Sequence, residues 1–278
     1  MKTDRRKSLS RVRRIVVKIG SSLLTGDRAT GIRSRFLSGI ASQIETLRKR
    51  GYRFTLVTSG AISAGIYELR MKRRPTAIPQ LQALAAVGQS SLMHAYEKTF
   101  RQRGLKVAQV LLTREDLLAK QRYFNAQNTF RELFKNKIVP IVNENDTVAV
   151  EEIKFGDNDT LATLVTHLAE SDLLVLLTDT DGFYEKDPKL DPTARILSDI
   201  HAWNPAYERQ ASVSRTGVGT GGMVTKVRAA QNMMEAGLPV AIVNGNSPRI
   251  LVKLMEGQTV GTFFHPPKFD RKGRTARS

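Results

Sequence analysis

The chain has 278 residues and 31.0 kDa, 41% hydrophobic and 25% charged with 20 Gly and 10 Pro, which excludes disorder, collagen-like repeats and low-complexity fibres as descriptions of the whole. Cys is absent, so no disulfide framework, thiolate nucleophile, zinc ribbon or iron–sulfur cluster can be built from it. The formal charge of +18 is concentrated at the ends: residues 1–14 carry seven Lys/Arg against one Asp, and residues 265–278 carry five against one.

In chain order, the basic segment MKTDRRKSLSRVRR comes first and runs straight into a strand-like VV, so it is not expected to be a signal peptide. Without interleaved aromatics or an RNA-binding signature, both basic ends read as solvated flexible tails, and nucleic-acid binding is not expected as the main function. Short Val/Ile/Leu runs then predict strands at 15–20, 54–60, 106–113, 138–145, 173–179 and 240–245. They do not alternate with polar residues, which predicts burial on both faces, as in a parallel sheet. Between them the spacing predicts helices over 33–50, 81–103, 125–135, 160–170 and 226–235. The first carries a 3.6-residue stripe of Phe36, Leu37, Ile40, Ile44 and Leu47. The longest apolar run, residues 173–177, is too short to cross a bilayer, and a cytoplasmic location is expected. Strand–helix alternation with no linker predicts one doubly wound α/β domain over 15–265, with a basic extension at 1–14 and a basic tail at 266–278.

Five of the six strands run into small or acidic polar residues, at 20–22, 58–60, 143–146, 178–181 and 244–246. Ligands of open parallel sheets bind outside the carboxyl ends of strands, so this shared edge is the expected site. Lys18 interrupts an apolar strand just before Gly20, which points to an anion bound by the ammonium and adjacent N–H groups. A second glycine-rich run, TGVGTGGMVTK, leads into a helix with Lys226 in its first turn. It satisfies G-x-G-x-x-G but follows no strand, and no Walker A loop occurs, so a polyphosphate clamp is expected rather than a dinucleotide fold. Two lysines on separate glycine loops suit phosphoryl transfer, where catalysis is positioning and charge neutralisation. Asp157, Asn158 and Asp159 exceed what one helix cap needs, and they suit an amino-acid ammonium or the orientation of cationic groups. His94, His167, His201 and His265 show no metal-ligand spacing, and His167 reads as packing.

IVVKIGSSLLT, LVTSGAISAG, IVPIVNENDTVA, KFGDNDTLA, LLTDTDGFYEKDP and GVGTGGMVTK, in that order over residues 15–264, resemble the amino acid kinase family, and within it the bacterial glutamate 5-kinase branch. The resemblance implies an αβα sandwich with a mainly parallel central sheet, and phosphorylation of the side-chain carboxylate of L-glutamate by ATP with Mg2+, opening proline biosynthesis. By motif, Lys18 and Lys226 would flank the transferring phosphoryl group, Asp159 would hold those lysines and Gly20 would donate N–H. Ser59, Asp146 and Asn158, with Asp157 nearby, would bind glutamate. Lys18, Thr178 and Asp179 would hold the nucleotide, together with Thr220, Gly221, Gly222, Met223, Val224, Thr225 and Lys226. The family pattern allows feedback inhibition by proline, assembly into dimers or tetramers and channelling of product to glutamyl phosphate reductase. Many bacterial members continue into a C-terminal PUA domain, whereas this sequence passes from residues 261–266 into its basic tail and is expected to be without one. Kinases of acetylglutamate, aspartate, carbamate or UMP are the alternatives within the family, and a basic nucleic-acid-binding protein is the alternative outside it.

Overall fold

The computed structural model describes residues 2–26, 31–149, 158–188, 190–213 and 222–267. Helix α1 (Lys2–Ser10) precedes strand β1 (Arg14–Ile19), and the single turn α2 (Ser21–Leu24) follows it. Next come α3 (Ser34–Lys49), β2 (Arg53–Val57), the helical pair α4 (Ala61–Glu68) and α5 (Ile78–Arg101), and β3 (Val107–Leu112). Helices α6 (Arg114–Leu118) and α7 (Lys120–Lys135) lead to β4 (Val139–Glu144), then α8 (Asn158–Leu168) and β5 (Leu173–Thr178). The chain continues through β6 (Asp199–Ile200), α9 (Ala206–Val213), α10 (Met223–Glu235), β7 (Val240–Asn244), α11 (Ile250–Met255) and β8 (Thr262–Phe264).

The strands make one eight-stranded sheet in the order β3-β4-β2-β1-β5-β7-β8-β6. The six from β3 to β7 are parallel, while β8 runs antiparallel to β7 and carries β6 parallel to itself. Lys18 therefore sits on a central strand, opposite Val57 on one side and Leu176 on the other.

Side chains of β1 alternate between two cores, as a period of two requires. Ile15, Val17 and Ile19 join the layer of α3, α5 and α11, whereas Val16 joins the layer of α7, α8 and α10. Lys18, two residues beyond Val16, faces the second layer. Burial of Leu37, Ile40, Ile44 and Leu47 on α3 follows the predicted stripe, with Phe36 only partly covered. Helices α4 and α5 approach unusually closely because both carry glycine at the crossing. A Cβ on Gly88 would lie 1.8 Å from the Ala61 carbonyl oxygen, and one on Gly65 would lie 2.0 Å from that of Leu84.

The N-terminal segment is not the solvated tail that its charge suggests. Leu9 and Val12 are buried in the core, and Arg5 is 2% exposed. The Arg5 guanidinium is 2.7 Å from Asp199 Oδ1 and donates to the carbonyl oxygens of Ser198 and Val260, the latter at 2.8 Å. A buried cation is tolerable only with such a full set of acceptors. Its partners come from β6 and from the turn before β8, so α1 fastens the antiparallel edge of the sheet. Residues 268–278 lie outside the described residues. His167, expected to pack, is exposed on α8. No helix among the described residues is long and apolar enough to cross a membrane.

Candidate active site

Strand β1 delivers Lys18 to the carboxyl edge of the sheet, the first turn of α8 delivers Asp159, and the first turn of α10 delivers Lys226. Asp159 is wholly buried, and both lysines are more than nine-tenths buried. Lys18 Nζ lies 2.6 Å from Asp159 Oδ1, and Lys226 Nζ lies 3.3 Å from Oδ2. Thr225 Oγ1 donates to the same Oδ2 at 2.6 Å. Burial pushes the Asp159 carboxyl upward, but the charges of Lys18 and Lys226 and the bonds from Lys18 and Thr225 outweigh it. The group is held far below the usual carboxylate range. It is therefore a fixed anion between two cations, poorly suited to take up a proton near neutrality.

Among the described residues, these three charges in so small a dry volume leave one net positive charge. Asp159 and Thr225 lie in the first turns of α8 and α10, whose N-terminal ends add partial positive charge there. Gly20 closes the same corner: a Cβ on it would come 4.0 Å from Lys18 Nζ, and its φ of −75° is ordinary extended backbone. The arrangement attracts an anion with several oxygens, and its charged groups resist rearrangement because Lys18, Asp159 and Lys226 are all buried.

Beside this cluster, Asn158 begins α8 and reaches back to the ends of β2 and β4. Its Nδ2 donates to the Thr58 carbonyl oxygen at 2.5 Å, to Ser59 Oγ at 2.9 Å and to Asn143 Oδ1 at 3.0 Å. Thr58 Oγ1 in turn shares a 2.9 Å bond with the buried Tyr96 hydroxyl, whose pKa burial drives upward. Asp146 is half-buried on the turn after β4 and borders a cavity of about 270 Å³ shared with Gln89, Ser90, Gln109 and Glu144. Thr178, at the end of β5, is buried, and its hydroxyl donates to Asp179 Oδ1 at 3.3 Å, with Asp179 itself exposed.

Lys18, Gly20, Asp159, Thr225 and Lys226 thus converge at one point, and Ser59 meets Asn158 next to them. Thr178 and Asp179 stand on the neighbouring strand end. Gly222 is the exposed N-cap residue of α10, and Met223 and Val224 follow it half-buried. Asp157, Thr220 and Gly221 fall outside the described residues. Sequence reasoning placed Asn143 within the polar run at the site edge without giving it a role, and did not single out Gln89. The signal for Gln89 was present: Leu81, Leu84, Ala85, Gly88 and Leu92 set the apolar face of α5, and an amide at position 89 falls on that face.

Residues 13–244 match the Amino acid kinase family. The chain is 49% identical over 260 residues to the glutamate 5-kinase of Geobacter metallireducens, covering 94% of this chain and 69% of that protein. It is 50% identical over 261 residues to the glutamate 5-kinase of Geobacter sulfurreducens, with the same coverage of 94% and 69%. With that of Nitrosococcus oceani it shares 45% over 274 residues, covering 99% of this chain and 72% of the relative. Among solved structures, UMP kinase from Bacillus anthracis superposes with a TM-score of 0.59 at 15% identity, over 92% of this chain and 97% of that one. That last likeness bears on the fold alone.

Proposed function

The chain belongs to the amino acid kinase family, and within it to the glutamate 5-kinases, and from that premise we propose that it transfers the γ-phosphoryl group of ATP to the side-chain carboxylate of L-glutamate, yielding glutamyl 5-phosphate and ADP at the entry to proline biosynthesis. The observation that carries this reading is the buried Lys18–Asp159–Lys226 cluster at the carboxyl edge of β1.

A carboxylate nucleophile is already an anion, so no base is needed. The obstacle is its repulsion by an anionic triphosphate, together with the charge that develops on the departing ADP. Lys18 and Lys226 meet both demands. In the resting site Asp159 neutralises and orients them, and phosphate oxygens would share that role once nucleotide is bound. As a glutamate oxygen forms its bond to phosphorus, the bond from phosphorus to the β–γ bridging oxygen breaks and its electron pair stays with ADP. Preorganised cations at that moment are worth more than in water because the site is dry.

Ser59, Asn158 and Asp146, together with Asp157 by motif, would hold the amino-acid end of glutamate. Thr178, Asp179 and residues 220–226 would hold the nucleotide. Mg2+ would be carried mainly on phosphate oxygens and water, as is usual for this cation. When bound, it would neutralise part of the triphosphate charge.

The test is ADP release measured with a panel of acceptors: glutamate, N-acetylglutamate, aspartate and UMP. Acetylation removes the ammonium that Asp146 and the Asn158 carbonyl would accept, so glutamate should be strongly preferred to N-acetylglutamate. Aspartate, one methylene shorter, should be disfavoured less. Equal kcat/KM for glutamate and N-acetylglutamate would defeat the assignment.

A further inference from the structure

Three side-chain amides stand in line between the substrate loops and α5. Asn158 Nδ2 donates to the Thr58 carbonyl oxygen, which can only accept, so the NH₂ end of Asn158 is fixed toward β2. Asn143 must then offer its oxygen, as it does at 3.0 Å, which turns its own Nδ2 toward α5. There Gln89 Oε1 accepts it at 2.9 Å. Each amide dictates the direction of the next. At the far end, Gln89 is nine-tenths buried, and its Nε2 is enclosed without a hydrogen-bond partner among the described residues. An enclosed, unused donor lowers stability, and a Met or Leu would fill the same space without that cost. The Gln89 oxygen is the part that finds a use.

We propose that Gln89 is a positioning residue for the amino-acid acceptor, acting through Asn143 on Asn158. All three bonds that Asn158 donates use Nδ2, and its Oδ1 accepts none among the described residues. The relay therefore leaves a carbonyl oxygen for the substrate, which suits the α-ammonium of a free amino acid; this rests on the proposed acceptor. Without Gln89, the Asn143 amide loses the acceptor that holds it, its oxygen is no longer pinned against Asn158 Nδ2, and Asn158, still donating to the Thr58 carbonyl, aims its Oδ1 at the ammonium less well. The close crossing at Gly88, next in sequence, fixes the height of Gln89 relative to the α4 end that follows Ser59.

The experiment compares KM for glutamate and for ATP in the wild-type chain and in Gln89→Met, which is nearly isosteric; Gln89→Leu carries the same test should the Met variant not fold. Loss of one buried hydrogen bond should raise the glutamate KM about tenfold. The ATP KM should stay within about twofold, because no nucleotide contact is touched. Gln89→Glu, which keeps an acceptor toward Asn143, should restore most of the glutamate KM. In an Asn143→Ala background, Gln89→Met should add little, since the two act in series. An unchanged glutamate KM, equal rises in both constants, or full additivity with Asn143→Ala would overturn the inference. Wild-type chain that fails to turn over glutamate would instead overturn the functional reading, and this inference with it.

Discussion

Replacing Asp159 by Asn keeps the shape of the side chain and removes the anion that meets both Lys18 and Lys226. Among the described residues the wild-type site brings together two cations and one anion, with the lysine side chains only 5% and 7% exposed. Breaking a buried pair by deleting one partner's charge costs about 3–5 kcal/mol, because the remaining charge is left uncompensated. A chain of this size loses roughly 2–4 °C in Tm per kcal/mol, so Asp159→Asn should melt about 10 °C lower. ATP brings anionic oxygens to the same lysines, so saturating ATP should raise the Tm of the variant by more than it raises that of the wild type. The rate should nevertheless fall by at least about a hundredfold, because the lysines lose the anchor that aims them. Adding Lys226→Met to Asp159→Asn should recover part of the lost stability and none of the activity. Melting curves with and without ATP, alongside steady-state kcat, decide the matter. A Tm within about 2 °C of wild type, or a kcat within about threefold, would refute the reasoning.

Gly88→Ala puts a methyl 1.8 Å from the Ala61 carbonyl oxygen; it should part α4 from α5, cost on the order of 1–3 kcal/mol by denaturant titration and raise the glutamate KM more than the ATP KM. Arg5→Met should lower stability by about 3 kcal/mol, since Asp199 and two carbonyl oxygens lose their donor, and should leave both KM values unchanged because Arg5 touches no site residue. Asp159 titrates far below its ordinary value, about 3.9, so its contribution to stability is present above roughly pH 4 and is lost as pH falls below that. Melting measured down the acid range should therefore show a steeper loss below pH 4 in the wild type than in Asp159→Asn.

The sheet and its site edge were legible because their signals are local. Lys18 was conspicuous as one cation in an apolar strand, and the polar residues after β1, β2, β4, β5 and β7 marked the carboxyl edge before any pairing was known. What local pattern cannot supply is convergence. Asp159 meets Lys18 across 141 positions of chain and Lys226 across 67, and the convergence of the three was expected from motif resemblance rather than spacing. Strands β6 and β8, two and three residues long, are too short to show a period. Helix α1 carries four Lys/Arg in nine residues and little amphipathic character, so it looked like a tail. Its docking depends on Asp199 and Val260, about 194 and 255 positions away, and no feature near Arg5 announces them. Gln89 was missed for a different reason. It shares the apolar face of α5 with Leu92 and Ala85, and its significance lies in which end of Asn143 it meets.

The most direct measurement traps the product. An acyl phosphate reacts with hydroxylamine to give a hydroxamate, so the protein is incubated with ATP, Mg2+, hydroxylamine and either L-glutamate or N-acetylglutamate, and the products are identified by mass. Phosphorylation of the glutamate side chain should give the glutamate 5-hydroxamate, formed in step with ADP, and little or none of the acetylated product. ADP release without hydroxamate, or the acetylated hydroxamate at an equal rate, would contradict it.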